Sequence, residues 1–328
     1  MPLARSLASL TFASVLTAGC GGGTPAGSPD APGAVDAGAP DGELPVPAEG
    51  FQVRTPDIEI QPGQEITYCY YFHTPNTAPT VVKSWQSRMT PGSHHMILYF
   101  TSAADMPDGT LDPSGNCGTA SSLADLPVWT YLAQSADNEA DMPSDDGTGK
   151  PVGMAVPANQ PAVMQMHYLN TTEAPLTVHV TLDANGYPAG TAYTPAAAFV
   201  TYNTKIDIPA GSGQTATAQG SCDVSPSAKF FTLSTHSHKQ AVETQVHDGA
   251  AMVLDSLDWE HPAVMTWGAS PFFSFASGKL TYQCDYVNQG DAEIKTGPSA
   301  QTNEMCMAIG YQFPATTSKL CLNSTVVN

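Results

Sequence analysis

Phe230-Phe231-Thr232-Leu233-Ser234-Thr235-His236-Ser237-His238-Lys239 is the stretch on which the reading of the fold turns. Its aromatic and β-branched residues favour an extended chain. In an extended chain, residues i and i+2 point to the same face. His236 and His238 therefore stand side by side, as a pair of imidazole metal ligands. A helix would put them on different faces and break the pair. Two other β-prone segments carry histidine. His94-His95 opens the apolar run Met96-Ile97-Leu98-Tyr99-Phe100, and His167 lies within Gln165-Met166-His167-Tyr168.

Working outward, the whole chain has this character. Short apolar runs alternate with Thr, Ser, Gly and Pro, and the 328 residues include 28 Gly and 28 Pro. Sustained helical periodicity is scarce, so the expected class is all-β. Strands are expected at Ile58-Glu59-Ile60, Ile66 to Phe72, Val81 to Trp85 and His94 to Phe100. Ala162 to Leu169 and Leu176 to Leu182 alternate like paired strands, and Asn185-Gly186 is a turn signal. Residues 101–150 are acidic and rich in Asp, Gly and Pro, and read as a long irregular loop stapled by Cys117. A Pro/Ala-rich passage from Ala189 to Ala198 marks a boundary. Beyond it come Phe199 to Ile208, the His236/His238 strand, Ala241 to Val246, Ala251 to Leu254, Phe272 to Phe275, Lys279 to Val287 and Met305 to Tyr311. This spacing predicts two β-sandwiches, over residues 49–190 and 191–328.

The N-terminus sets the expected compartment. Arg5 precedes a short apolar run, Leu7 to Leu16, too brief to span a bilayer. Leu16-Thr17-Ala18-Gly19-Cys20 resembles a bacterial lipoprotein cleavage box, with Thr17 departing from the usual Leu or Val. Residues 1–20 are thus read as a signal peptide and Cys20 as the lipidated N-terminus; an ordinary secretory signal is the alternative. Gly21 does not resemble an inner-membrane retention signal, so the expected address is the cell envelope, at the outer membrane. Residues 21–48, mostly Gly, Ala, Pro and Asp, cannot bury enough apolar surface to offset their ordering entropy and read as a disordered tether.

Charge and cysteine usage narrow the function. Eleven Lys and Arg against thirty Asp and Glu give a net charge of −19, which excludes a basic surface for nucleic acid. The only expected membrane contact is the lipid anchor. Six cysteines remain after Cys20: Cys69, Cys117, Cys222, Cys284, Cys306 and Cys321. An even number in an exported chain predicts three disulfides, with fifteen possible pairings. No CxxC pair suggests a cysteine zinc site.

The residues with ligand chemistry are His94, His95, His167, His236, His238 and Met305. His94 and His95 are adjacent and face opposite ways in a regular strand, so a shared metal requires a bend after the Pro91-Gly92 turn. Imidazole suits copper in either oxidation state and thioether favours Cu(I), whereas zinc gains little from methionine. His73, His179, His247 and His261 have no partner at ligand spacing and read as surface or packing residues, and the four tryptophans read as core.

Ser93-His94-His95-Met96, Gln165-Met166-His167-Tyr168, Thr235-His236-Ser237-His238 and Asn303-Glu304-Met305-Cys306, in this order, resemble the motifs of the ascorbate-dependent type II copper monooxygenases. That family includes peptidylglycine α-hydroxylating monooxygenase and dopamine β-monooxygenase. The resemblance runs from about Ile58 to Pro314 and is clear around the motifs. It implies two jelly-roll-like sandwiches holding two coppers per chain. His94, His95 and His167 would form the electron-transfer site; His236, His238 and Met305 would form the oxygen-binding site. It also implies the pairs Cys69–Cys117, Cys222–Cys321 and Cys284–Cys306, the last anchoring Met305. The implied partners are O2, a small-molecule substrate, and ascorbate or another one-electron reductant as co-substrate.

The sequence departs from the peptide-amidating members where they hold a peptide carboxylate. Ser234 replaces an Arg, and Met307 and Ile309 replace an Asn and a Tyr, so hydroxylation of a C-terminal glycine is not expected. The expected activity is C–H hydroxylation of another, unidentified substrate. The competing expectations are a non-catalytic copper-binding or copper-storage surface lipoprotein, and a structural or adhesive sandwich with accidental histidines.

Overall fold

The computed structural model describes residues 44–104, 106–115, 117, 127–297, 299–300 and 302–327. Residues 1–43 lie outside them, and with them the signal peptide, Cys20 and nearly all of the expected tether. The described residues form no helix and fall in one compact unit. The protein is an all-β sandwich protein.

The N-terminal half stacks two sheets. One runs Gly50–Arg54, Val180–Gly186, Thr80–Met89, Val152–Val156 and Thr194–Pro195, with Asp137–Asp141 also paired to Thr80–Met89. The other runs Leu111–Asp112, Glu65–His73, Pro161–Leu169, Ser93–Phe100 and Val128–Ala133. Period-two alternation explains their packing. Met96, Leu98, Met164, Met166 and Tyr168 turn inward to meet Trp85, Val82 and Leu182 in one core. The intervening Ile97, Tyr99 and Val163 lie on the opposite face with Cys69 and Tyr71. His95 and His167 have the parity of that second face.

The chain changes sheets at Ala196, since Thr194–Pro195 pairs in the first half and Ala197–Tyr202 in the second. The second half has a six-stranded sheet ordered Val264–Thr266, Lys229–Ser237, Cys306–Phe313, Ala197–Tyr202, Lys319–Leu322 and Thr325–Val326. It packs against a four-stranded sheet of Thr215–Asp223, Lys279–Val287, Ala241–Asp248 and Ala251–Ser256. A small sheet joins Asp207–Ile208, Ile294–Thr296 and Asn303–Glu304. The strand Lys229–Ser237 is apolar on both faces because each meets a core. Phe230 and Leu233 enter the core of the second half, whereas Phe231, Met307, Tyr311 and Phe313 join the core of the first. The two halves therefore share packed side chains.

Three disulfides join Cys69 to Cys117, Cys222 to Cys321 and Cys284 to Cys306, the pairs that the family resemblance implies. Several local expectations differ from the structure. Residues 101–150, expected as a loop, contain the strands Val128–Ala133 and Asp137–Asp141; Val128-Trp129-Thr130-Tyr131-Leu132 is β-prone despite its acidic surroundings. Ala162 to Leu169 and Leu176 to Leu182 do not pair with each other: Pro161–Leu169 bonds to Glu65–His73 and Ser93–Phe100, while Val180–Gly186 belongs to the facing sheet. Gly186 makes a register shift at a strand end, not a hairpin turn. Phe273 makes one isolated bridge to Phe230, so Phe272 to Phe275 is not a strand.

Candidate metal centre

His94 and His95 reach one site through a β-bulge. In the pairing of Ser93–Phe100 with Pro161–Leu169, His167 faces His95 and Tyr168 faces Ser93, leaving His94 as the extra residue. A bulge inserts one unpaired residue and re-aims its side chain. Gly92, at φ +92°, makes the tight turn before it, a conformation natural to glycine. The bend required for two adjacent histidines to share a site is thus built here. The ligand nitrogens of His94, His95 and His167 all lie within 4.8 Å of one another, and the Nδ1 atoms of His94 and His95 are 2.9 Å apart.

The second set follows from strand parity. His236 pairs with Met307 and Ser237 with Cys306, and Met305 and His238 lie just beyond the end of that pairing. Met305, Met307 and Ile309 all pack toward the core of the first half. The His236 and His238 rings touch edge to face at 5.4 Å. Glu304 ties these segments together. One of its carboxylate oxygens accepts from the backbone N–H of His238 at 2.9 Å and of Met305 at 3.2 Å, and the other from Gln240 at 2.7 Å. The Tyr286 hydroxyl donates to the Met305 carbonyl at 2.8 Å, and the Cys284–Cys306 bridge holds the next residue.

Three of the imidazoles have one nitrogen committed and the other bare. His167 Nε2–H donates to Glu65 Oε1 at 2.8 Å, His236 Nδ1–H to Gln134 Oε1 at 2.5 Å, and His238 Nδ1–H to the Asn303 carbonyl at 3.1 Å. These acceptors fix each tautomer. His167 Nδ1, His236 Nε2 and His238 Nε2 are left buried without a hydrogen-bond partner. A buried acceptor without a partner costs about 1–3 kcal/mol, and a bound cation offsets that cost. A ring whose other nitrogen donates to a carboxylate or carbonyl is the usual arrangement of a metal-ligating histidine. The donor set fits a metal.

Burial also keeps His94, His95, His236 and His238 neutral. Desolvation, reinforced by His167 and His238, lowers the His94 pKa to about 3 against an opposing pull from Glu65. Desolvation takes His238 down to about 4, and takes His95 and His236 well below the ordinary histidine value. Neutral imidazole is the metal-binding form. Burial raises the Glu65 carboxyl, but bonds from His167 and Ser299 outweigh it and leave the pKa lowered. At Glu304 burial prevails over three backbone N–H bonds, and the carboxyl is pushed up to about 7.

All five predicted histidines meet in one place. His94, His95 and His167 lie in mutual ring contact at 4.9–5.1 Å, and His95 also touches His236 at 5.3 Å. The other four histidines lie among ordinary partners: His73 with Asp108, His179 with Asp57, His247 with Gln245 and His261 with Asp258. Sequence reading did not pick out Glu65, Gln134 or the carboxylate role of Glu304, which lack a local signal because their partners are remote in the chain. Trp259, expected in the core, packs against the core of the second half and also lays its ring over His94 at 5.8 Å. Trp85 is core as expected, fully buried against Tyr131. The positions that depart from the peptide-amidating pattern are occupied structurally. Ser234 bonds the Ala263 carbonyl, and Met307 is buried. A cavity of about 860 Å³ lies among Phe100, Val128, Met154, Tyr193 and Ala197. It abuts the strand ends remote from the histidines, and no ligand-bearing residue lines it.

No family model and no curated protein matches the chain. Among solved structures, it is similar to the major capsid protein P2 from bacteriophage PM2, at 6% identity and TM-score 0.30, over 80% of this chain and 97% of that one. It is also similar to the structure of infectious bursal disease virus Gx strain, at 11% identity and TM-score 0.15, over 86% of this chain and 80% of that one. At these scores the likeness carries no functional argument.

Proposed function

We propose that the protein is an exported two-copper monooxygenase, anchored to the cell envelope through Cys20, that hydroxylates a C–H bond of a substrate lacking a peptide carboxylate. One observation carries this reading: three buried imidazoles each hold a hydrogen bond at one nitrogen and a bare lone pair at the other, beside a pair of facing histidine nitrogens. The ordered motifs that resemble the copper monooxygenases add the choice of metal, and Met305 favours copper over zinc. Three disulfides suit an oxidising compartment.

Under this reading His94, His95 and His167 hold one ion and His236, His238 and Met305 the other. Bound copper supplies one-electron chemistry with O2 and a reductant such as ascorbate. The chain's own work is positional. Glu65 and Gln134 orient His167 and His236, and Glu304 holds the segments bearing His238 and Met305 together. Trp259 shields His94, and the apolar surroundings exclude water. Ser234, Met307 and Ile309 provide no cationic group for a carboxylate.

A second reading, a copper-holding lipoprotein without turnover, is favoured by burial: His95, His167, His236 and His238 are 4%, 2%, 3% and 0% exposed. The test is copper content of the purified full chain, with Met305→Ala and His167→Ala beside it, followed by reductant-dependent O2 uptake against a panel of C–H substrates. Two coppers per chain, one lost in each variant, and uptake coupled to a hydroxylated product are expected. Two coppers without coupled uptake select the second reading. Fewer than two coppers refute the paired-site assignment.

A further inference from the structure

We propose that the cavity between the two halves, remote from the histidines, is a binding site for a neutral, largely apolar small molecule that carries a hydroxyl group. This inference does not depend on the copper reading. The cavity holds about 860 Å³, within the range of roughly 300–1,000 Å³ typical of small-molecule sites. Close packing leaves few voids larger than a water molecule, so a space of this size is not a packing fault. Its origin lies in the sequence. The Pro/Ala-rich passage that marks the boundary supplies Pro195, Ala196 and Ala197 along the wall, where the chain crosses between the halves. Alanine side chains are too short to fill the space beside them. Phe100, Val128 and Met154 from the first half and Ala315 and Val327 from the second add apolar surface. Ser102, Ala155, Thr316 and Thr317 line the cavity and are exposed, so a ligand can enter from solvent. Along the strand Ser93–Phe100, the five steps from His95 to Phe100 place the site about 17 Å from the metal centre.

The lining decides the class of ligand. No Asp, Glu, Lys, Arg or His lines the cavity. A carboxylate or ammonium placed there loses hydration and gains no counter-ion. Lys319, next in the chain to the lining residue Ser318, is bound to the Asp223 carbonyl. Several lining polar groups are already committed. Thr130 Oγ1 donates to the Val128 carbonyl at 3.0 Å and Ser318 Oγ to the Trp129 carbonyl at 3.0 Å. The Gln160 amide donates to the carbonyls of Thr101 at 2.8 Å and Pro161 at 3.0 Å. The Tyr193 hydroxyl and the side-chain oxygen of Gln160 have no partner among the described residues. A ligand hydroxyl can accept from Tyr193 or donate to either oxygen, while the rest of the ligand lies against apolar side chains.

The test is displacement of Nile red, a neutral fluorescent dye, from the purified full chain, with 1-decanol and decanoate as competitors below their solubility and micelle limits. Saturable dye binding is expected, with decanol displacing the dye at a concentration at least about tenfold below decanoate. Thr317→Trp and Ala315→Trp fill the cavity from positions outside the buried core. Each should cut dye affinity at least about tenfold, and dye still held by them measures binding elsewhere on the chain. Tyr193→Phe should weaken decanol binding about three- to tenfold, the worth of one hydrogen bond. Circular dichroism checks that each variant is folded, and either occluding variant decides the matter where the other fails to fold. No saturable binding, an unchanged dye affinity in a folded occluding variant, or decanoate competing as well as decanol overturns the site. Full decanol affinity in Tyr193→Phe overturns the assignment of a hydroxyl-bearing ligand.

Discussion

Replacing Glu304 by Gln tests the clamp behind the second ligand set. Its two carboxylate oxygens serve three backbone amides, those of His238 and Met305 on one side and Gln240 on the other. A Gln side chain has one carbonyl oxygen and turns a donor toward whichever side that oxygen does not serve. At least one buried N–H is left unpaired, a loss of about 1–3 kcal/mol. The penalty depends on pH, with a sign the structure fixes. Burial pushes the folded-state carboxyl up to about 7, from 4.5. A raised carboxyl contributes stability that is fully present below the unfolded value and is lost as pH rises through the folded one. Over that interval, 7 − 4.5 = 2.5 units, the wild type loses on the order of 3 kcal/mol. The Gln variant has no such titration. Its deficit relative to wild type should therefore be largest near pH 5 and should vanish or reverse by pH 8, a change on the order of 3 kcal/mol. His94, His95, His236 and His238, with lowered pKa values, titrate in the opposite sense, but they cancel in the difference between the two proteins. Urea unfolding of both metal-free proteins at pH 5 and 8 measures this difference. A deficit independent of pH refutes the electrostatic reasoning. A variant as stable as wild type at pH 5 refutes the clamp.

The ligand supports give a paired prediction. Glu65→Ala removes the acceptor of His167 Nε2, and Gln134→Leu that of His236 Nδ1. Each should weaken copper binding about 10–100-fold by competition with a chelator, and unchanged affinities exclude the supporting role. Acid should affect copper binding little. The His94 and His238 pKa values, lowered to about 3 and about 4, mean that protons compete only near pH 4 and below. Copper affinity at the His236/His238 site should change by less than about threefold between pH 7 and 5, whereas each exposed histidine ligand loses roughly thirtyfold there. A steep fall over that range would show that the rings titrate like exposed imidazoles.

Strand identity and site chemistry were legible wherever they depend on near neighbours. The two-residue period of an extended chain aligns His236 with His238. It is a local property, and a sequence displays it. The order of the four histidine and methionine motifs was legible for the same reason. The strand Val128–Ala133 was not, because its short apolar run lies in an acidic stretch whose average composition reads as loop.

What only the tertiary structure decided is what joins residues far apart in the chain. The bulge that turns His94 toward His95 depends on a partner strand some seventy residues away. Glu65 stands 102 positions from His167, and Gln134 102 positions from His236. Such bonds form because the sheets stack and the halves dock, and no period in the sequence encodes them. The sequence by itself determined an all-β chain and the histidines of the cluster. The contact between His95 and His236 was decided by the packing of a strand with a core on each of its faces.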